Sequence, residues 1–198
     1  MTTPNGVYEA EQAIISAGPW LPDLIEPEYA KLFTVRRQVL YWFAIDGAAE
    51  AHSRDGFPIF IWDLPGRDEG FYGFPPIDGP GGGMKVATEQ YKFSTTPDDV
   101  EREVTDDETR AMYEKYVEPY LLGLTLECVK AVTCLYTVTP DGGFVIDRHP
   151  ERPATIVASP CSGHGFKHSA AIGEALAEMV TDGQSRIDIS KFGIGRFG

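Results

Sequence analysis

The sequence lacks most features of the specialised protein classes. Its three cysteines (Cys128, Cys134 and Cys161) include no C-x-x-C pair, which argues against a disulfide framework and a zinc ribbon. No apolar run approaches the roughly 20 residues of a membrane helix. The opening MTTPNGVYEAEQ has neither the basic nor the apolar region of a signal peptide. We therefore expect a cytoplasmic protein with reduced thiols.

Positive charge is also scarce. The chain has 17 Lys and Arg against 30 Asp and Glu, a formal net charge of −13, and no cluster of basic residues. Nucleic acids and anionic membrane surfaces are bound through such clusters, so both are excluded as partners. No G-x-G-x-x-G motif follows a predicted strand, and no Ser or Thr follows the lysine of the glycine-rich turn GGGMK, so neither nucleotide-binding fingerprint is present.

The composition is that of an ordinary globular protein, since 42% of the 198 residues are hydrophobic. An apolar strand is predicted over Ala13 to Ala17, buried on both faces. Short β-rich segments from Val35 onward, separated by Gly, Pro and Asp, are typical of an antiparallel sheet. One or two helices are predicted between Asp98 and Leu122, starting at Thr-Pro-Asp; strands and a last helix over 169–181 follow. This order indicates an α+β fold.

The segment CSGHGFKHS contains several candidate ligand-binding residues close together. Gly163 and Gly165 bracket His164 and let the backbone approach a ligand, while the helix predicted near His168 offers free N–H groups. Lys167 lies where loop meets helix, so a negatively charged or electron-accepting ligand would suit the place. A plain strand-to-helix turn with a solvent-facing Lys167 is equally compatible. The two histidines are four residues apart, but no carboxylate completes a zinc motif, so no metal site is predicted.

Two further residues are ambiguous on chemistry alone. Cys134 opens the β-like segment CLYTVTPDGGFVID, and a lone cysteine in an apolar strand is usually a small buried hydrophobe. A nucleophilic cysteine would need a histidine base, and neither His149 nor His164 can be placed against it from the sequence. Lys85, after the glycine-rich turn, would by default be an exposed surface residue.

Five segments together resemble one family. In chain order they are IISAGPWLPDLI, GFYGFP with GGGMK, TCLYTVTPDGGFVIDRHP, CSGHGFKHSAAIGEALAEM and DISKFGIGRF. They are similar, in register over nearly the whole chain, to the C-terminal half of monomeric sarcosine oxidases. The wider DAO-like family includes N-methyltryptophan oxidase and pipecolate oxidase, which are FAD-dependent amine oxidases.

The resemblance implies FAD as cofactor, bonded covalently through Cys134, with a small-molecule amine and O2 as substrates and an imine and hydrogen peroxide as products. Lys85 matches the oxygen-activating lysine, whose fixed ammonium would stabilise negative charge developing on O2. Lys167 is expected near the flavin and the substrate carboxylate. The other implied positions are Tyr72 and Tyr136, lining the substrate cavity, and Gly163, His164 and Gly165, beside the cofactor.

The sequence departs from the family in several places. Glu89 stands where the family often has histidine, and the turn PIDGPGGG is slightly longer than usual, so the particular amine is left open. Cys161 stands where an apolar residue is common and is interpreted as packing. The family's N-terminal half, with its Rossmann unit and a carboxylate-binding arginine, has no counterpart in this sequence.

These patterns predict an antiparallel substrate-domain sheet with helices, flanked by segments of an incomplete Rossmann-type FAD-binding domain. The predicted divisions are 1–30 (a strand region of the FAD domain), 31–130 (the substrate-binding domain) and 131–198 (the return of the FAD domain). The chain is interpreted as a C-terminal fragment or subunit, with a separate N-terminal FAD-binding half as a possible partner. The alternative is a flavin-free remnant or small-molecule binding module. A dehydrogenase that avoids oxygen is less favoured because Lys85 is retained.

Overall fold

The computed structural model describes residues 1–47, 50–66 and 70–198. Within these ranges the chain also forms short 3-10 turns, one of them at Phe166–His168, and a π-helical turn at Tyr113–Val117. The strands and helices, in chain order, are β1 (Thr2–Thr3), β2 (Gly6–Val7), β3 (Ala13–Ile15), α1 (Pro27–Ala30), β4 (Thr34–Ile45), β5 (Phe60–Trp62), β6 (Phe71–Phe74), β7 (Met84–Thr88), α2 (Asp106–Met112), β8 (Leu124–Val138), β9 (Val145–His149), β10 (Arg152–Ser159) and α3 (Ser169–Thr181).

The chain divides into two compact units. The first, which we call the terminal unit, comprises residues 1–35 and 136–198, and the second, the central unit, comprises residues 36–135. The long strands β4 and β8 carry the chain from one unit to the other.

The terminal unit contains a three-stranded sheet in the order β3-β10-β9, with β3 parallel and β9 antiparallel to β10. Successive residues of β9 and β10 point to opposite faces, as the pleat requires. Val145 and Val157 therefore pack with Leu21 in one apolar cluster, whereas Ile146 and Ile156 pack with residues of α3 in another. Both faces of the sheet are covered over the second half of β10 and its pairing with β9, whereas β3 and residues 152–154 are more exposed.

The central unit contains a five-stranded sheet in the order β5-β6-β7-β4-β8, in which β5–β6, β6–β7 and β7–β4 pair antiparallel. One face carries the fully buried Phe43, Phe71 and Met84, which pack in a cluster with Met112 of α2 and Val117 of the π-helical turn. The mixed fold with an antiparallel sheet, predicted from the sequence, is confirmed.

The helix predictions hold with one shift. Helix α3 has the predicted bounds, whereas α2 begins at Asp106 and not at the Thr-Pro-Asp segment. Thr96 and Asp99 exchange hydrogen bonds that close a turn there. Thr105 is the N-cap, and its hydroxyl and Glu108 form a capping box. The true start signal was therefore the later T-D-D-E.

The prediction of a strand over Ala13 to Ala17, buried on both faces, was wrong in extent and burial. Strand β3 ends at Ile15, and Ile14 is 42% exposed. The reason is topological, because in the part of the chain that the structure describes β3 has β10 on one side only. An apolar run alone does not distinguish a central strand from an edge strand.

Candidate functional site

Lys85 lies on β7, on the sheet face opposite the core of the central unit. It pairs in register with Trp42 of β4 on one side and Phe74 of β6 on the other. Its Nζ lies 4.8 Å from the ring centroid of Phe74 and 5.7 Å from those of Trp42 and Tyr72. We call these four residues the Lys85 face. Lys85 is half-buried rather than a freely exposed surface residue.

The electrostatics of this face involve a cysteine. Burial lowers the pKa of the Lys85 ammonium, and the negative charge of an ionised Cys134 acts in the opposite direction and raises it. Cys134 is a half-buried free thiol on β8. Lys130, earlier on the same strand, places its Nζ 4.8 Å from the ring centroid of Trp42. The central unit thus brings a cation, a thiol and several aromatic rings together.

A cavity of about 220 Å³ adjoins Tyr72. Among the residues lining it, the Tyr91 hydroxyl donates a hydrogen bond to Oε2 of Glu89 at 3.0 Å. Burial, together with the hydrogen bond to Glu89 and its charge, raises the pKa of Tyr91 to about 12. The tyrosine is therefore a neutral donor at physiological pH. The lining residues are Ile61, Asp63, Gly70, Phe71, Tyr72, Glu89 and Tyr91.

In the terminal unit, the segment Ser162–Lys167, here called the SGHGFK loop, has a conformation that its glycines make possible. Gly163 has φ +84°, and a Cβ there would lie 2.5 Å from the ring of Tyr136. A Cβ at Gly165 would overlap the carbonyl oxygen of Pro160. The loop therefore packs directly on Tyr136 and on its own preceding backbone, with no space for larger residues.

The same loop is tied to residues 139–144. His164 Nε2 lies 2.9 Å from the carbonyl oxygen of Gly142, and its ring stacks on buried Phe144 at 4.7 Å between centroids. Asp141 accepts a hydrogen bond of 2.7 Å from Arg196, which holds the pKa of that carboxyl below its usual range. His164 is thus engaged by the chain itself. Its cofactor role stays a prediction.

Lys167 lies at the junction predicted from the sequence, in the 3-10 turn Phe166–His168 immediately before α3. Its side chain is exposed, and the neighbouring Phe166 is 94% exposed. An unpaired helix start favours negative charge nearby. This arrangement is compatible with an anionic ligand at the loop.

The structure therefore groups Tyr72, Lys85 and Cys134 in the central unit, and Tyr136 with the SGHGFK loop in the terminal unit. Sequence reasoning missed Trp42 and Phe74 beside the lysine, although the period-two alternation of β-strands was a usable signal for them. It also missed the pairing of Glu89 with Tyr91. Over residues 1–47, 50–66 and 70–198, no group of three or more metal-ligating side chains is found, and no helix is long and apolar enough to cross a bilayer.

Residues 1–179 match the family described as FAD dependent oxidoreductase. The chain is 38% identical over 192 residues to a monomeric sarcosine oxidase of Streptomyces avermitilis, covering 96% of this chain and 49% of that protein. It is 32% identical over 203 residues to an N-methyl-L-tryptophan oxidase of Escherichia coli O81, covering 98% of this chain and 50% of that protein. The chain thus spans about half the length of the curated relatives it matches.

Solved structures share the fold. Amadoriase I, a fructosyl amine:oxygen oxidoreductase from Aspergillus fumigatus, superposes with a TM-score of 0.72 at 19% identity, covering 97% of this chain and 44% of that one. L-proline dehydrogenase from P. horikoshii superposes with a TM-score of 0.71 at 20% identity, covering 99% and 49%. From its sequence match over residues 1–179, this chain belongs to the family of FAD dependent oxidoreductases.

Proposed function

We propose that this chain provides the flavin-attachment and substrate-contacting half of an amine oxidase that converts a secondary amine or N-methyl amino acid into an imine. The observation that carries the proposal is the half-buried Lys85, held among aromatic rings and electrostatically coupled to Cys134. FAD, when bound, would accept a hydride from the carbon next to the amine nitrogen and pass the electrons to O2, giving hydrogen peroxide.

The donor set suits such a cofactor. Cys134 is a free thiol that could carry a covalent flavin, and the SGHGFK loop presents backbone without side chains at two glycines. Near this loop burial raises the pKa of the Cys161 thiol, and its hydrogen bonds with the buried hydroxyls of Ser159 and Thr137 act against that rise.

Each residue would have a distinct task in the proposed reaction. The Lys85 ammonium would stabilise negative charge that develops on oxygen, an effect that grows where water is excluded. Lys167 would bind the substrate carboxylate as a point charge. Tyr72 and Tyr136 would orient the amine.

The proposed activity also needs a segment equivalent to the part of the relatives that this chain does not match. We propose that β3, β9, β10 and α3 complete a Rossmann-type FAD domain with that segment, on the same or a separate chain. The terminal unit exposes several apolar side chains, including Ile14, Leu24 and Phe166. These side chains support such a contact.

The test is reduction of the flavin by an amine. We expect the chain, mixed with FAD and the separately expressed N-terminal half of the Streptomyces avermitilis relative, to lose its visible flavin absorbance when an N-methyl amino acid such as sarcosine is added without oxygen. Admission of oxygen should restore the absorbance. Flavin that stays oxidised with every N-methyl amine offered would contradict the proposal and favour a flavin-free binding module.

A further inference from the structure

The cavity beside Tyr72 has a wall that is both acidic and aromatic. Glu89 and Asp63 both line it, and the aromatic rings of Tyr72 and Tyr91 line it as well. Carboxylates and aromatic faces are the two groups that attract an ammonium ion in proteins. The wall therefore has the chemistry of a cation site.

The cavity adjoins the Lys85 face, because Tyr72 belongs to both. Glu89 follows Lys85 by four residues and lies just beyond the end of β7, about 13 Å along the chain at the usual rise of a strand. Tyr72 belongs to both places, since its ring contacts the Lys85 ammonium and also lines the cavity. A molecule held at Tyr72 would thus have one end near Lys85 and the other near Glu89.

The orientation of Glu89 is set by its neighbour. The Tyr91 hydroxyl donates a hydrogen bond of 3.0 Å to Oε2 of Glu89. This contact engages one carboxylate oxygen and fixes Glu89 along the cavity wall, where its other oxygen is available to a ligand.

We infer that Glu89 is a specificity-determining residue, and that the substrate is an amine with a second, distal cationic group, such as an N-alkyl diamine or an N-methyl amino acid with a basic side chain. This inference rests on the proposed function, because it takes the cavity at Tyr72 as the substrate site. The oxidised amine would lie at the Tyr72 end, and the second ammonium would bind Glu89, with Asp63 adding negative charge.

The experiment is calorimetric titration of the whole chain with two probes of equal length. N-methyl-1,4-diaminobutane carries two ammonium groups, and N-methylpentylamine has a methyl group in place of the second one. We expect the diamine to bind about 10-fold more tightly, the contribution of one partly exposed charge-assisted hydrogen bond. The preference should shrink as salt is added, because exposed ion pairs are screened.

Substitutions assign the preference to one residue. Glu89→Gln keeps an oxygen that can accept from Tyr91 but removes the charge, so it should bring the two affinities together. Glu127→Gln, a substitution of an exposed glutamate on β8 of the same unit, should leave the preference at its original value. Equal affinities in the unmodified chain, no measurable binding of either probe, or a preference that survives Glu89→Gln would each overturn the inference.

The outcome is separable from that of the proposed function, which is read from reduction of the flavin by an amine. Flavin that an N-methyl amine reduces, together with no diamine preference, would make this inference wrong and leave the oxidase proposal standing. A diamine preference in a chain whose flavin no amine reduces would contradict the oxidase proposal, and with it the assignment of the bound amine as a substrate.

Discussion

Replacing Lys85 with methionine is expected to slow reoxidation of the reduced flavin by oxygen roughly 100- to 1,000-fold, the usual cost of removing a charge-stabilising group. Reduction of the flavin by the amine should change by only a few-fold, because no negative charge develops at Lys85 in that step. Methionine keeps an unbranched apolar side chain beside Phe74 and removes the ammonium that lies over its ring. Stopped-flow measurement of the two half-reactions, with the N-terminal half supplied, separates them.

Lys130→Met is the matched control for this prediction. It removes another ammonium that contacts Trp42, but from an exposed site. Its reoxidation rate should stay close to that of the unmodified enzyme. The oxygen role of Lys85 would be refuted if Lys85→Met slowed both half-reactions equally. It would also be refuted if Lys130→Met lost as much of the reoxidation rate.

Titration of Lys85 should make the rate of flavin reoxidation depend on pH. Burial lowers its pKa below the ordinary value of 10.5, so the ammonium is lost at a lower pH than for an exposed lysine. The rate of reoxidation should therefore fall as the pH rises through this lowered pKa. In Lys85→Met the rate should not change with pH over the same range. The folded state also binds fewer protons than the unfolded state in that window, so unfolding free energy should rise with pH.

Gly165→Ala is expected to destabilise the terminal unit by about 3 kcal/mol or more, at the upper end of overpacking costs. The new methyl group would overlap the carbonyl oxygen of Pro160, which is backbone and cannot rotate away. The SGHGFK loop must then move, and the contact of Gly163 with Tyr136 is lost with it. Denaturant unfolding, together with hydrogen exchange of residues 161–168, measures the effect.

Gly173→Ala provides the comparison. Gly173 lies within α3, and a Cβ there meets nothing within 4 Å. Alanine should stabilise the helix by about 1 kcal/mol. The two substitutions are chemically identical, so opposite signs would isolate the backbone overlap at Gly165. A loss of unfolding free energy of less than about 1 kcal/mol in Gly165→Ala would contradict the tight packing of the SGHGFK loop.

Much of this architecture could be predicted because local patterns decided it. The alternating residues of β6 and β7 and the apolar periodicity of α3 fix those elements, and the Gly-His-Gly spacing locates the loop before α3. The edge position of β3 could not be predicted, since it depends on which strand pairs with it. The start of α2 was missed because two Thr-Asp segments compete for the helix start, and Thr105 gains the capping box.

The residues of the candidate site could be predicted from the sequence, but the side chains that surround them could not. Lys85 and Cys134 stand in motifs, whereas their electrostatic coupling depends on the folding of the central sheet. The cavity with Glu89, Tyr91 and Asp63 brings together segments separated by more than two dozen residues. Such non-local contacts leave no periodic trace in one sequence.

A flavin bonded to Cys134 stays with the protein when the protein is denatured. The direct measurement is the visible absorption of the protein after incubation with FAD and the N-terminal half, followed by acid precipitation. We expect a yellow pellet for the unmodified chain and for Cys128→Ser, and a colourless pellet for Cys134→Ser. A colourless pellet from the unmodified chain, or a yellow one from Cys134→Ser, would contradict attachment of the flavin through Cys134.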